Sequence, residues 1–442
     1  MSGTDKLYSA LLRRDAGAEA ELPDDVRRNV PRNGLRLVAA NALQSTGDQT
    51  VNASTVLPWL LTALGAPAAL IGLLVPIRES LSMLPQAFLT PIVVRVRRRT
   101  RVFAAGAVVQ AAAVAVMAAT AALGEGLAAG TVILVALAIF ALGRCLCSIA
   151  SKDVQGRTVP KGERGQINGL ATTASGIVAI TLGLAIRVWG GDDLTAGILA
   201  WILAAGAALW VASAAVSRGV REPAPAAVER SADDPGWFAD TLRLLREDRD
   251  FRLFVAVRGL LVVSALAPPF VVSLAVAAGS DGLAGLGGFV VASGVAALVG
   301  GRIFGRWADR SSRRVMTYGA AAASAVIIAV VAATSLPGFS GSSAGGTIFF
   351  IGAYFALTLI HTGVRVGRKT YVVDMAEGDL RTTYVAVSNT AMGVILLVIG
   401  GISSLIALAG ASWALLFLAV MGFVGVIASR GLRDVSRGRT AG

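Results

Sequence analysis

The stretch that decides the fold is LRLVAANALQSTGDQTVNASTVLPWLLTAL, residues 35–64. It contains enough Leu, Val, Ala and Trp to cross a bilayer, which requires about 20 residues of helix. Polar side chains nevertheless recur in it at a spacing that places them in one stripe along a helix. The stripe consists of Asn41, Gln44, Asp48, Asn52 and Thr55. The sequence therefore predicts a first membrane helix over residues 35–63 with one polar face.

A polar stripe cannot face lipid, because hydrocarbon offers no hydrogen-bond partners. Two interpretations remain open. The stripe can hold the helix in a bundle through side-chain hydrogen bonds, or it can line a water-filled path for a solute. Asp48 favours the second interpretation, because it falls near the middle of the helix, where a charge is most costly.

The composition extends this pattern to the whole chain of 442 residues. Of these, 55% are hydrophobic and 15% are charged, and the mean hydropathy is +0.70, which excludes an ordinary soluble domain. Apolar runs long enough to span a membrane recur between short basic or Gly-rich breaks. They predict twelve spans, at residues 35–63, 69–94, 102–123, 129–150, 166–187, 195–216, 251–276, 283–304, 314–335, 346–367, 382–406 and 411–430.

The net charge of +13 would suggest nucleic-acid binding in a soluble protein, but here membrane topology accounts for it. Nearly all of the 40 Lys and Arg residues fall in the termini and in alternate loops. Because basic loops stay on the cytoplasmic side, this distribution predicts a multi-pass protein of the cytoplasmic (inner or plasma) membrane with both termini in the cytoplasm. We expect membrane lipid as a partner and no nucleic acid.

The spans divide the chain into two similar bundles. The predicted parts are a cytoplasmic tail (1–34), an N-terminal six-helix bundle (35–216), a cytoplasmic central loop (217–250), a C-terminal six-helix bundle (251–430) and a second tail (431–442). Three residues around the loop after span 4 recur 217 positions later, around the loop after span 10. They are Lys152, Arg164 and Gly176, which recur as Lys369, Arg381 and Gly393. Such a repeat, enclosing a site near the midplane, is typical of transporters.

A basic motif follows span 8 and reads Gly305-Arg-Trp-Ala-Asp309-Arg310-Ser-Ser-Arg313-Arg314. It resembles the loop signature of the major facilitator superfamily, Gly-x-x-x-Asp-Arg-x-Gly-Arg-Arg. The resemblance implies an all-α integral membrane fold of twelve transmembrane helices in two pseudo-symmetric six-helix bundles. It also implies a cytoplasmic gate, in which Asp309 binds the start of span 5 while that side is closed.

The equivalent motif after span 2 has lost its Gly and Asp, because Thr90 and Val94 stand there. We therefore expect the C-terminal copy to dominate the gate. The alternative is that its arginines only follow the positive-inside rule.

Four charged residues fall near mid-depth of spans 1, 2 and 4: Asp48, Arg78, Glu79 and Arg144. Arg144 resembles the arginine of a second family motif, found in proton-coupled members. Two acids and two bases can neutralise one another, and a carboxylate that loses its partner takes up a proton. We therefore expect these residues to couple transport to H⁺, with Asp48 favoured because it shares the polar stripe. A fixed ion-pair network is the alternative.

The remaining candidates for a substrate cavity come from both halves. In the N-terminal half they are Asn41, Gln44 and Asn52, and in the C-terminal half they are Arg258 and His361. Together with Arg365, this C-terminal pair adds only positive charge, so the cavity should suit an anionic or zwitterionic solute.

The sequence predicts a secondary active transporter that moves a small organic solute by alternating access, coupled to protons and acting as a monomer. A receptor or scaffold that keeps the fold without transport is the alternative. The chain has no spacing typical of catalytic or metal-ligating residues and no G-x-x-x-x-G-K-[ST] loop. We therefore expect no enzymatic activity, no cofactor and no metal.

Overall fold

A computed structural model describes most of the chain. The described residues are 3–12, 14, 17, 19, 23–86, 88–89, 93, 96–160, 163, 167, 170–171, 173–174, 176–181, 183–184, 195–223, 244–279, 283–375, 380–433 and 435. Within helices, a few side chains at 283–285, 301–310 and 369–386 are also left out. Eight helical segments of the described part are long and apolar enough to cross a membrane.

Helices account for each predicted span except the fifth, much of which lies outside the described residues. In the N-terminal half they are α1 (Gly3–Leu11), α2 (Asp24–Arg27), α3 (Val30–Thr50), α4 (Val56–Ala63), α5 (Ala68–Met83), α6 (Arg99–Leu123), α7 (Gly126–Thr158) and α8 (Ala196–Arg218). In the C-terminal half they are α9 (Arg249–Leu260), α10 (Val263–Ala277), α11 (Leu283–Thr334), α12 (Ala344–Met375), α13 (Leu380–Ile406) and α14 (Ala411–Ala428).

The first membrane segment is not the continuous helix that its polar stripe predicts. Helix α3 ends at Thr50 and α4 begins at Val56, so Asn52 and Thr55 lie in the break. Asn52 Oδ1 accepts a hydrogen bond from the Ser54 backbone N–H at 2.8 Å. Short polar side chains of this kind bond to nearby backbone and compete with helix formation. The prediction was therefore wrong for the second half of the stripe.

The seventh segment is also broken. The break lies at Leu261 and Val262, between α9 and α10, whereas Pro268 and Pro269 stand inside α10. A proline removes the hydrogen bond to the carbonyl four residues earlier, so its effect falls on the preceding turn. The first helix of each half is therefore interrupted, as in transporters with discontinuous helices.

Packing between the halves is concentrated on one side, which we call the distal face; the proximal face is the one near the chain termini. Helix α4 packs on α10 and α5 packs on α13. Ser80 donates to the Gly393 carbonyl at 2.8 Å. A Cβ on Gly400 would lie 2.0 Å from Pro76 Cγ, so only glycine admits this approach. The distal face is closed.

The closing helices meet in two matching crossings. A Cβ on Gly393 of α13 would lie 2.7 Å from Leu84 Cγ, and a Cβ on Gly176 in the fifth span would lie 2.9 Å from Leu298 of α11. Gly176 and Gly393 are one of the residue pairs that recur in the sequence. The pair therefore serves the same purpose in both halves, which is to let two helices of different halves approach closely.

On the proximal face, polar contacts between described side chains join elements of the same half. Tyr8 of α1 donates to Glu163 at the start of the fifth span. Arg99 Nε lies 2.9 Å from Asp153 Oδ2, and in the C-terminal half Arg313 donates to the Leu432 carbonyl at 3.0 Å. The helix halves α3 and α9 pack mainly on their own bundles. Between the described residues, the contacts that join the two halves are thus concentrated on the distal face.

Candidate functional site

Asp48 lies two residues before the end of α3 and is held by two arginines. Arg144 Nη1, from α7, donates to Asp48 Oδ2. Arg78 Nη2, from α5, lies 3.1 Å from Asp48 Oδ1 in an ion pair, although Oδ1 accepts no hydrogen bond with good geometry from a described group. The Asp48 and Arg144 side chains are 20% and 33% exposed. Partial exposure this deep in a bundle indicates a solvent-accessible cleft.

Local helix geometry explains why Arg78 reaches Asp48 while Glu79 does not. Neighbours in a helix point about 100° apart, so the two side chains of α5 face different elements. Glu79 is half-buried and makes no ion pair with a described side chain. It interacts electrostatically with Arg144 of its own half and with Arg368 of α12. Glu79 therefore lies within electrostatic range of charges from both halves.

The other members of the stripe, Asn41 and Gln44, bond to helices of their own half. Gln44 Nε2 lies 3.3 Å from Gln110 Oε1 and 3.2 Å from Cys147 Sγ. Asn41 Oδ1 lies 3.5 Å from Ser151 Oγ. Both side chains are only partly buried. For these two residues the observed contacts match the packing interpretation of the stripe. Asp48 differs from them, because it forms ion pairs.

On the C-terminal side, Arg258 is buried beside α13. Its Nη1 donates to Ser388 Oγ and its Nη2 lies 3.2 Å from Asn389 Oδ1. His361 of α12 shares a 3.3 Å hydrogen bond between its Nδ1 and Ser264 Oγ of α10. Arg258 and His361 therefore flank the break in the seventh segment, at Leu261–Val262.

Arg368 is a site residue that the sequence reasoning missed. It is 9% exposed and lies seven positions after His361, which puts both on one face of α12. It interacts electrostatically with Arg258 from the same half and with Glu79 from the other. The predicted tenth span ended at residue 367, whereas α12 continues to Met375. The heptad spacing from His361 is the signal that could have found it.

The charges of the two halves differ. In the N-terminal half the two acids Asp48 and Glu79 offset the two bases Arg78 and Arg144, so the group is neutral. In the C-terminal half Arg368 interacts electrostatically with two further positive charges, Arg258 and Arg365, and with the acid Glu79 of the other half. The cleft as a whole is therefore positive.

The predicted gate motif lies where α11 changes direction. The helix continues through the expected loop, and only Ser311 is non-helical. Ser311 Oγ accepts from the Arg314 N–H at 3.3 Å and so caps the following segment. The side chains of Gly305, Asp309 and Arg310 lie outside the described residues, as does most of the start of the fifth span. The predicted contact between them stays a prediction.

Two helical bundles in contact on one face around a charged cleft are the arrangement of a secondary transporter. The family model described as Major Facilitator Superfamily matches residues 37–368. The chain belongs to the Major Facilitator Superfamily. The resemblance seen in the loop motif is therefore confirmed, together with the all-α membrane fold.

Solved structures of transporters are similar to this chain along almost its whole length. The nucleoside transporter NupG has a TM-score of 0.68 at 13% identity, with 90% of this chain and 98% of that chain covered. A D-xylose–proton symporter has a TM-score of 0.67 at 11% identity, with coverage of 92% and 99%. The peptide transporter POT has a TM-score of 0.63 at 13% identity, with coverage of 98% and 100%. At these identities the likeness is one of fold. No curated protein sequence matches the chain.

Proposed function

We propose that this protein is a proton-coupled secondary transporter of a small anionic or zwitterionic organic solute. The observation that carries the proposal is the group of charged side chains that the two halves present to one cleft. Charges in a membrane interior are costly and are retained mainly along solute and proton paths. The xylose–proton symporter, which is similar in fold, couples its sugar to protons according to its name. This likeness supports proton coupling as a proposal for the present chain.

We infer that the proximal face is cytoplasmic. The basic side chains Arg99, Arg157 and Arg313 all lie on that face, and basic residues next to membrane spans stay in the cytoplasm. The protein belongs in the cytoplasmic membrane with both termini inside the cell, acts as a monomer, and performs no enzymatic reaction.

We assign the coupling proton to Glu79. Asp48 is linked to it indirectly, because Arg144 binds Asp48 and also interacts electrostatically with Glu79. Asp48, Arg78 and Arg144 belong to one half, so rigid rocking of the halves leaves their ion pairs in place. Glu79 and Arg368 belong to different halves, so rocking changes their separation. A carboxylate that loses a nearby cation in a poorly solvated site takes up a proton. The sequence favoured Asp48; the geometry favours Glu79 for the step that depends on conformation.

The test is transport by purified protein. A thermal-shift panel of organic anions, zwitterions and neutral analogues would identify a solute, and its uptake into proteoliposomes would be measured with and without a pH gradient. We expect accumulation only when the gradient is imposed. Binding without any uptake or exchange would favour the alternative of a receptor or scaffold.

Orientation is tested separately by cysteine labelling in intact cells. The native Cys145 and Cys147 are buried, so an introduced cysteine reports on its own position. Reagent added outside should reach positions 190–194 and should miss positions 224–243, both of which lie outside the described residues. Labelling of 224–243 from outside would reverse the assigned orientation.

A further inference from the structure

We propose that Arg258 and Arg368 form an anion-binding subsite that receives the carboxylate or phosphate group of the solute. The inference rests on the proposed transport function and assigns one chemical group of the solute to one place in the C-terminal half. Arg258 lies on α9, just before the break in the seventh segment, and Arg368 lies on α12.

Both arginines are buried and incompletely bonded. Arg258 is 8% exposed and Arg368 is 9% exposed, and the Nε of each has no hydrogen-bond partner. Arg368 makes no hydrogen bond or ion pair with any side chain in the described part of the structure. A buried polar group without a partner is costly, and so are two buried like charges. A ligand that supplies oxygen atoms and negative charge removes both costs.

The geometry of Arg258 indicates a prepared site. Ser388 and Asn389 of α13 hold its two terminal nitrogens, which fixes the plane of the guanidinium and leaves Nε free. A planar guanidinium matches the paired oxygens of a carboxylate or phosphate better than a lysine does. Phe254 of α9 and Tyr371 of α12 stack with their ring centroids 4.9 Å apart. Arg258 and Arg368 lie one turn from these rings on the same two helices, so one anion can interact with both.

Glu79 does not satisfy this pair. It interacts electrostatically with Arg368 from the other half, yet it forms no ion pair with a described side chain. One carboxylate also cannot neutralise two guanidinium groups. Among the described residues of the N-terminal half, Arg78 Nε also lacks a hydrogen-bond partner, but Arg78 and Arg144 share the carboxylate of Asp48. The C-terminal pair is thus the place where a solute anion gains most.

The test uses the full-length protein purified in detergent. Thermal unfolding would be followed during titration with sodium butyrate, with inorganic phosphate, with neutral butyramide, and with sodium chloride at equal ionic strength. Butyrate and phosphate distinguish a carboxylate from a phosphate as the recognised group. We expect at least one of these anions to raise the unfolding temperature saturably, and butyramide and chloride to have no such effect.

The variants Arg258→Gln and Arg368→Gln should weaken that anion response at least about tenfold, because a hydrogen bond to a charged group contributes about that much affinity. The matched control is Arg252→Gln, which removes the same charge from an exposed position on the same helix. It should respond like the wild type. If either glutamine variant fails to elute as a single species, Arg368→Lys, which keeps the charge, should retain part of the response.

Two results would overturn the subsite: no anion stabilises the wild type beyond chloride, or both glutamine variants respond as the wild type does. The proposed transport function fails differently, through absence of gradient-driven uptake in proteoliposomes. Anion binding that depends on both arginines but is followed by no uptake would keep the subsite and reject the transport proposal. Uptake of a neutral solute that neither variant affects would keep the transport proposal and reject the subsite.

Discussion

Replacing Glu79 by Gln removes the one carboxylate of the cleft that has no described ion pair while keeping the size of the side chain. Because Glu79 interacts electrostatically with Arg368 of the other half, its surroundings change when the halves rock. Glutamine cannot take up or release the proton in response. We therefore expect Glu79→Gln to lose accumulation driven by a pH gradient and to keep exchange of solute down its own gradient.

The expected sizes of the transport and stability effects distinguish Glu79 from Asp48. One pH unit supplies about 1.4 kcal/mol per proton, which sustains about a tenfold solute gradient for one coupled, electroneutral proton. Wild-type protein should approach that ratio, and Glu79→Gln should stay near equality. Asp48→Asn instead leaves Arg78 and Arg144 facing each other, and breaking a buried ion pair in this way costs about 3–5 kcal/mol. Its main effect should be on thermal stability.

The assay combines uptake into proteoliposomes under an imposed pH gradient with thermal unfolding in detergent. Asp153→Asn is the matched control, since Asp153 also lies between two arginines, Arg99 and Arg157, but on the proximal face outside the cleft. It should lose some stability and keep full accumulation.

Two outcomes would refute this reasoning. If Glu79→Gln accumulates solute about tenfold like the wild type, the proton is carried elsewhere. If Asp48→Asn unfolds at the wild-type temperature yet fails to accumulate solute, Asp48 carries the proton, as the polar stripe in the sequence indicated. The ion pairs around Asp48 would then have to break during the cycle, although all three residues belong to one half.

Three further predictions concern the closing contacts. Gly400→Ala places a methyl 2.0 Å from Pro76 Cγ, which should cost about 1–3 kcal/mol in the distally closed state and raise distal labelling of cleft residues. Asp309→Asn should keep the fold and increase proximal accessibility of the cleft, measured by the same labelling. Burial raises the pKa of the Tyr8 phenol, so it stays a donor at neutral pH; Tyr8→Phe should loosen α1 by about 1–3 kcal/mol, seen as faster hydrogen exchange.

Each of these predictions has a control or a contrary result. Gly401→Ala is matched to Gly400→Ala, because nothing lies within 4 Å of an added Cβ there; equal labelling of the two variants would reject the packing argument. Tyr318→Phe changes an exposed tyrosine and should leave exchange in α1 unaltered. Unchanged proximal accessibility in Asp309→Asn would reduce that residue to a determinant of topology.

Hydropathy and basic loops predicted the fold well, because a bilayer requires long apolar helices and sorts charges between its faces. They did not predict the break after Thr50. The spacing of three to four residues continues through Asn52 and Thr55, but the helix does not. The Asn52 side chain there accepts a hydrogen bond from the Ser54 backbone N–H. A pattern of side-chain types cannot show which of two competing hydrogen bonds forms.

The site was only partly predictable for a related reason. Asp48, Arg78 and Arg144 follow from their depth in the apolar runs, since a charge there needs a partner. Arg368 was missed because the predicted tenth span ended one residue before it, at 367, although α12 continues to Met375. The stripe residue Gln44 could not be assigned either, because its partner Gln110 lies on another helix.

The fold is nearly symmetric, but the charged residues of the cleft are not. This contrast suggests that the two halves have different roles. The crossings at Gly176 and Gly393 are equivalent, so both halves can rock about matching contacts. The ion pairs of Asp48 lie within one half and survive that motion, whereas the interaction of Glu79 with Arg368 spans the interface and does not. A solute anion on the C-terminal arginines and a proton on Glu79 would therefore respond to the same separation. Solute binding and proton binding would then be coupled through the movement of the two halves, without direct contact between the two sites.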